Sequence, residues 1–178
     1  NSIVVFAMSV FISSMILLYG ASTLYHSLDI SKKVNLFFRR IDHSMIFVLI
    51  AGSYTPVCLL ALDRKQGIPL LVLVWATAII GIIIKIFFIN CPHWVIIYIG
   101  MGWTCVLVFK PLLANLPASA FAWLLAGGII YTVGGIIYGL KLPIFDKLPK
   151  DFGSHEIFHL FVMGGSICHF IFMYAYLM

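Results

Sequence analysis

Six long apolar runs, separated by short clusters of charged and turn-forming residues, organise this sequence of 178 residues. The runs cover approximately residues 3–28, 41–62, 68–90, 93–110, 118–140 and 154–177. Each is close to the roughly 20 residues that a helix needs to cross a hydrocarbon core about 30 Å thick. Strands of a membrane barrel would need only about 10 residues each and would alternate polar with apolar positions. The pattern therefore predicts an all-α, polytopic transmembrane helical bundle that forms one domain over residues 1–178.

Composition strengthens the membrane assignment. The chain is 63% hydrophobic and 10% charged, with a mean hydropathy of +1.12, which lies outside the range of soluble globular domains. The longest connection, residues 141–153, is too short for a soluble domain. Four cysteines stand singly, without the spacing of a metal finger or a disulfide framework, and we interpret them as buried thiols. Membrane lipids are the expected surroundings of most of the chain.

Positive charges are divided unevenly between the two ends of the runs. Eight follow the first, third and fifth runs: Lys32, Lys33, Arg39, Arg40, Lys85, Lys141, Lys147 and Lys150. Three lie at the opposite ends: Arg64, Lys65 and Lys110. The positive-inside rule predicts that the first set faces the cytoplasm and that the C-terminus lies outside. The net charge of +5 is thus explained by orientation and by contact with anionic headgroups, without a nucleic acid partner.

Two histidines open the last run. His155 and His159 are four residues apart, so on a helix they share a face and can direct both rings at one metal ion. Alternatively, they are core histidines that bond to neighbouring polar groups. Ionisable side chains inside membrane segments are costly and usually functional, which favours the metal site. His169 lies on roughly the same face but about 21 Å deeper, and a pair of stacked haems would need a matching histidine pair that no other run has.

Three further polar residues are expected at the same depth in the cytoplasmic leaflet. His26 ends the first run, Ser22 precedes it by one turn, and Asp42 opens the second run. Ser22 could instead pack or bond to its own helix, and Asp42 could cap a helix or pair with a neighbouring arginine. Three imidazoles, from His26, His155 and His159, with one water would form a catalytic zinc site. Asp42 could then accept a proton, and Ser22 could orient the site or donate to an oxyanion.

Other polar or irregular positions have structural interpretations. Pro56 should kink the second run, with Ser53 or Tyr54 bonding to the freed carbonyl. Lys85 is expected to extend toward the cytoplasmic headgroups. The four-residue spacing of Gly135 and Gly139 suits close packing of the fifth run against another helix.

Taken together, these motifs resemble the hemolysin III proteins. The motifs are Ser22-x3-His26, the segment from Asp42-His43-Ser44 to Ala51-Gly52-Ser53-Tyr54-Thr55-Pro56, Lys110-Pro111-Leu112-Leu113, and His155-x3-His159. Hemolysin III proteins are the bacterial branch of the progestin and adipoQ receptor family, which includes the adiponectin receptors and is more distantly similar to alkaline ceramidases. The resemblance implies that His26, His155 and His159 bind zinc and that Asp42 and Ser22 are the family's aspartate and serine.

The resemblance also sets expectations for topology. Members of the family have seven transmembrane helices and a cytoplasmic N-terminus, whereas this chain supplies six runs and begins at Asn1. The predicted sidedness puts the start of the first run outside, which fits a preceding helix. We therefore expect seven helices in the full-length protein, a multi-pass protein of the cell membrane.

Three functions agree with these features. The first is zinc-dependent hydrolysis of a lipid amide or ester, with Asp42 as proton acceptor and the apolar walls holding an acyl chain. The second is a non-enzymatic lipid sensor or regulator of membrane state in which zinc only ties helices together. The third is the cytolytic, pore-forming activity implied by the family's name, which is disfavoured because no run has the polar stripe of a wide channel.

Overall fold

The computed structural model describes residues 2–88, 94–140 and 153–178, and these residues contain helices and turns but no strand. The α-helices are α1 (Ser2–Ser27), α2 (Lys32–Pro56), α3 (Arg64–Phe87), α4 (Trp94–Gly102), α5 (Phe109–Asn115), α6 (Ala118–Leu140) and α7 (Ser154–Tyr176). A 3₁₀ segment, Trp103–Val108, joins α4 and α5 into one span. Six spans in this part of the chain are long and apolar enough to cross a membrane. The predicted all-α transmembrane fold is confirmed.

The chain divides into two compact units. The first unit, Asn1–Cys91, contains α1, α2 and α3, and the second, Pro92–Met178, contains α4 to α7. In the first unit α2 contacts both α1 and α3. In the second unit α6 contacts α4, α5 and α7.

Helix α2 is the centre of the first unit. It runs antiparallel to both neighbours, with Ser14 of α1 against Gly52 and with the ring of Phe47 against Gly81 of α3. A Cβ atom at Gly52 would lie only 2.5 Å from the Cβ atom of Ser14, so the missing side chain lets the two helices approach closely. Phe11 and Phe47 are fully buried between the helices. The packing holds the polar residues of α1, α2 and α3 in a fixed register.

The second helix begins nine residues earlier than the sequence pattern predicts, at Lys32 rather than at residue 41. Ser31 caps it, because the Ser31 hydroxyl accepts a hydrogen bond from the amide of Val34 at 3.3 Å. Asn35 fixes the preceding turn by donating to Asp29 Oδ1 at 2.7 Å. The basic residues between 32 and 40 concealed this start, since a run of charges lowers hydropathy without preventing a helix. The predicted basic loop is therefore mostly the first turns of α2.

The irregularity predicted at Pro56 is present. Helix α2 passes into a π-helical turn, Val57–Ala61, directly after the proline. Ser53 donates instead to the carbonyl of Leu49 at 2.8 Å, and Thr55 donates to the carbonyl of Ala51 at 2.9 Å. The predicted bond from Ser53 to the carbonyl freed by Pro56 is therefore wrong, because a hydroxyl in a helix reaches the carbonyl one turn before it.

Helices α6 and α7 form the main packed pair of the second unit. They are antiparallel, with the Tyr131 ring against Gly165 and the Phe161 side chain against Gly134. On another face of α6, the Val95 side chain of α4 lies over Gly135 and Gly139. The predicted close packing at this glycine pair is confirmed.

Most other helix ends agree with the pattern to within a few residues. The fourth span is an exception, since it continues past the predicted end at residue 110 to Asn115. Pro111 does not stop it because the proline is the third residue of α5, where a missing amide proton costs no helical hydrogen bond. The predictions for Cys91, Lys141, Lys147 and Lys150 concern positions outside the described residues.

Candidate functional site

Asp42 lies in the interior of the first unit, in the third turn of α2, with only 6% of its surface exposed. The Ser22 hydroxyl of α1 donates a hydrogen bond to its carboxylate. His26, one turn further along α1, is close enough for a favourable charge interaction with the same carboxylate. The antiparallel packing of α1 and α2 thus brings together Ser22, His26 and Asp42, three of the residues singled out from the sequence.

His26 is the exposed member of this group. It lies in the last turn of α1, and its ring is 4.7 Å, centroid to centroid, from the ring of Tyr25. An imidazole at the end of a helix, accessible and next to a buried carboxylate, is suited to binding a metal ion, because a neighbouring anion stabilises bound positive charge.

His43 is also a neighbour of Asp42, although the two residues point about 100° apart around an ideal helix. The His43 Nδ1 atom is 2.8 Å from the carbonyl oxygen of Arg39 and 3.5 Å from Asp42 Oδ2. A proton on Nδ1 would be donated to the Arg39 carbonyl and would face the carboxylate as well. The two side chains therefore approach each other in spite of the angle between their positions on the helix.

The environment predicted for Lys85 is wrong. It was expected to reach the headgroups, yet it is only 2% exposed in the last turn of α3. Its ammonium group attracts the Asp42 carboxylate. A usable sign was present in the sequence, since a lysine inside an apolar run requires a partner of opposite charge. The register of α2 against α3, which identifies that partner, is a tertiary property.

In the second unit, His155 and His159 meet in the first two turns of α7. Their Nε2 atoms are 3.0 Å apart, and their ring planes are nearly perpendicular. The predicted i, i+4 helical spacing is thus present. Tyr138 of α6 supports the pair from one side, with its ring centroid 5.6 Å from that of His155.

Glu156, which lies between the two histidines in the sequence, caps the start of α7. Its carboxylate accepts a hydrogen bond from the amide of Gly153 at 2.7 Å, which satisfies an amide at the start of α7. Glu156 is thus an acidic residue in the first turn of α7, where the helix dipole favours negative charge. His169 is separate from the pair, because its ring packs against Gly127 and Tyr131 near the middle of α6, about two to three turns from Tyr138.

Among the described residues, His155 and His159 bring two imidazoles together within the second unit, and His26 of the first unit is the third histidine that was predicted as a ligand. Three neutral imidazoles are a donor set that zinc commonly uses.

Comparison with known proteins assigns the family. The family model described as "Haemolysin-III related" matches residues 1–170. The chain belongs to this family. A Bacillus cereus protein named "Hemolysin-3" is 44% identical over 176 residues, which are 98% of this chain and 76% of that protein. A Bacillus subtilis (strain 168) protein named "Hemolysin-3 homolog" is 43% identical over 166 residues, covering 91% of this chain and 73% of the relative.

A more distant similarity links this haemolysin-III related protein to a eukaryotic receptor. The Saccharomyces cerevisiae protein named "ADIPOR-like receptor IZH2" is 36% identical over 52 residues, 26% of this chain and 16% of the relative. This match fits the predicted relation to the adiponectin receptors. No solved structure matches the chain. Family membership and six apolar spans together identify a multi-pass membrane protein in contact with lipids.

Proposed function

We propose that this protein is a zinc-dependent hydrolase of lipid amide or ester bonds, with zinc held by His26, His155 and His159. The observation that carries the proposal is the pair of imidazoles on α7, whose Nε2 atoms are 3.0 Å apart. In the first unit, His26 lies next to the buried carboxylate of Asp42. Metal-binding imidazoles beside a carboxylate that can accept a proton are the recurring parts of zinc hydrolases. The apolar spans supply a surface on which an acyl chain can lie.

The donor geometry within α7 fits zinc. Two nitrogen ligands about 2.05 Å from a tetrahedral zinc ion are about 3.3 Å apart. The Nε2 atoms of His155 and His159 are 3.0 Å apart, so a small rotation of either ring reaches that separation. Without zinc, the two neutral rings would form a hydrogen bond with each other, one nitrogen donating and the other accepting. Inside a membrane segment, this contact would stabilise the two imidazoles less than shared binding of a metal ion. Zinc, when bound, would polarise a carbonyl group and make a water molecule more acidic.

The chain's own residues would handle the proton. Asp42 is buried and points toward Ser22 and His26, so its carboxylate is the acceptor for a proton released near His26. Ser22 holds one carboxylate oxygen through its hydroxyl, which leaves the other oxygen to take the proton. His43 Nδ1, at 3.5 Å, limits rotation of the carboxylate.

Metal content is the first test. Elemental analysis of the detergent-purified full chain should give about one zinc per chain, and a His155→Ala/His159→Ala variant should lose it. Glu156→Gln is the matched control, because it changes the nearest carboxylate while keeping the acceptor that caps α7. The control should retain zinc. A wild-type protein purified without chelators that holds no metal would contradict the site.

Hydrolysis of a lipid amide is the second test. Asp42→Ala should keep its zinc and lose turnover by about 10²- to 10⁴-fold, the usual contribution of a general base. Asp63→Asn is the control, since Asp63 is exposed at the start of α3 and its side chain makes no capping bond. If Asp42→Ala hydrolysed the lipid at the wild-type rate, the role of Asp42 as proton acceptor would be wrong. The three histidines would then hold a zinc ion that only ties helices together in a lipid sensor.

A second candidate function is cytolysis, which is favoured by the names of the two Bacillus relatives. In that case the purified protein should release dye from vesicles that contain no hydrolysable amide or ester lipid. The Asp42→Ala variant should then release dye as fast as the wild type, whereas a hydrolase should release none.

The membrane orientation completes the proposal. We place the ends of α1 and α3 and the start of α2 at the cytoplasmic face, because Lys32, Lys33, Arg39 and Arg40 lie there. The zinc site would open to the cytoplasm, the N-terminus of the full-length protein would be cytoplasmic, and the C-terminus would be outside. Modification of an introduced Lys33→Cys by a membrane-impermeant thiol reagent only after permeabilisation would support this orientation.

A further inference from the structure

The register of α2 against α3 is fixed at two points. Near one end, the Trp75 indole of α3 donates a hydrogen bond to Thr55 Oγ1 at 3.1 Å. Further along, the Phe47 ring of α2 fills the space above Gly81 of α3, where a Cβ atom would be only 2.5 Å from the ring. Higher numbers on α3 thus pair with lower numbers on α2, and the two helices are antiparallel.

This register places Lys85 and Asp42 at the same level. Lys85 is one turn beyond Gly81, about 6 Å along α3, and Asp42 is five residues before Phe47, about 7.5 Å along α2 in the same direction. Both side chains are buried, with exposures of 2% and 6%. Their opposite charges attract each other. Among the described residues, these are the charged side chains that the fold buries most completely.

We infer that Lys85 is a positioning residue, whose ammonium group, buried between α2 and α3 at the level of Asp42, holds the Asp42 carboxylate in a fixed direction toward Ser22 and His26. The inference rests on the proposed function for its effect on turnover, but not for the pairing itself. An isolated ammonium inside a membrane segment is costly, so a lysine at this depth is retained only where it serves a partner. Two contacts from different helices, Ser22 from α1 and Lys85 from α3, restrict the carboxylate better than one.

The experiment compares Lys85→Met, which removes the charge at similar length, with Lys85→Arg, which keeps it. Lys65→Met is the matched control, because Lys65 is exposed in the first turn of the same helix. Lys85→Met should keep its zinc and lower kcat for the lipid amide by about 10- to 100-fold with little change in KM, as expected for a group that orients a reacting one. Lys85→Arg should recover most of the kcat, and Lys65→Met should match the wild type.

A double-variant cycle keeps the inference testable if Lys85→Met folds poorly or if no lipid is hydrolysed. Removing Lys85 alone leaves Asp42 without its countercharge, whereas Asp42→Asn removes the need for one. The thermal unfolding midpoint of Asp42→Asn/Lys85→Met should therefore lie above that of Lys85→Met, with no further loss of kcat relative to Asp42→Asn. Additive midpoint shifts, or a Lys85→Met variant indistinguishable from Lys65→Met, would overturn the inference.

The two proposals fail in different ways. Absence of zinc or of turnover in the wild type counts against the hydrolase alone, since the cycle of unfolding midpoints still measures the Lys85–Asp42 coupling. Normal zinc and turnover with no coupling counts against the role of Lys85 alone.

Discussion

The two helical units bury different kinds of polar group. The first unit buries an acid and a base, Asp42 and Lys85, whereas the buried polar side chain of the described part of the second unit is the neutral Ser166. His155 and His159 are partly exposed and lie next to aromatic rings. Buried charges fix each other's position, because each would be strongly destabilising without its partner. A neutral imidazole does not carry this cost, so it can be buried without a bound metal ion. The comparison indicates that charge pairing orients the buried polar side chains of the first unit, whereas ring packing orients the histidines of the second.

The units also differ in how their helices approach one another. In the first, Gly67 of α3 lies against the backbone carbonyl of Cys58 in the π-helical turn. In the second, Gly127 of α6 receives the side chain of His169. A backbone carbonyl cannot move without shifting its helix, whereas a ring can rotate. A larger side chain at Gly67 should therefore destabilise the first unit more than a larger side chain at Gly127 destabilises the second.

The largest effect is expected for Gly67→Ala. A Cβ atom there would lie 2.0 Å from the Cys58 carbonyl oxygen, so α3 must move away from the π-helical turn. We expect a loss of about 3 kcal/mol in the free energy of unfolding, at the upper end for overpacking. Thermal unfolding in detergent measures it. Gly20→Ala is the control, since nothing lies within 4 Å of its Cβ position, and equal stability of the two variants would contradict the comparison.

A smaller loss, about 1–2 kcal/mol, is expected for Gly127→Ala in the second unit. The new methyl group would approach His169 Cδ2 to 2.1 Å, and the ring must rotate within the contact between α6 and α7. Gly128→Ala is the control in the neighbouring position, which is open, and it should be neutral or stabilising by up to about 1 kcal/mol. A Gly127→Ala variant less stable than Gly67→Ala would reverse the proposed order of the units.

The smallest effect is expected for Tyr131→Phe. The Tyr131 hydroxyl is 2.8 Å from Ser166 Oγ and links α6 to α7. Side-chain hydrogen bonds between membrane helices contribute about 0.6 kcal/mol on average, so the unfolding midpoint should fall only slightly. Tyr174→Phe, at an exposed tyrosine of α7, is the control and should not change it. A loss above about 2 kcal/mol would show that the second unit depends on polar contacts as strongly as the first.

Local pattern was enough for most of the fold. Apolar run length predicted six spans, and α6 was predicted to the residue. The start of α2 was missed because the Ser31 cap lies within a charged segment whose low hydropathy resembles a loop. Within the site, the pairing of His155 with His159 followed from the i, i+4 spacing, because a helix fixes that geometry by itself.

The sequence by itself thus determined the number and length of the spans and the shared face of the α7 histidines. Only the tertiary structure decided that Lys85 is buried beside Asp42 and that Ser22 donates to Asp42. These facts depend on how far one helix slides along another. That displacement is set by contacts such as Phe47 on Gly81 and Ser14 on Gly52, which join residues more than 30 positions apart. Periodicity along one helix carries no information about it.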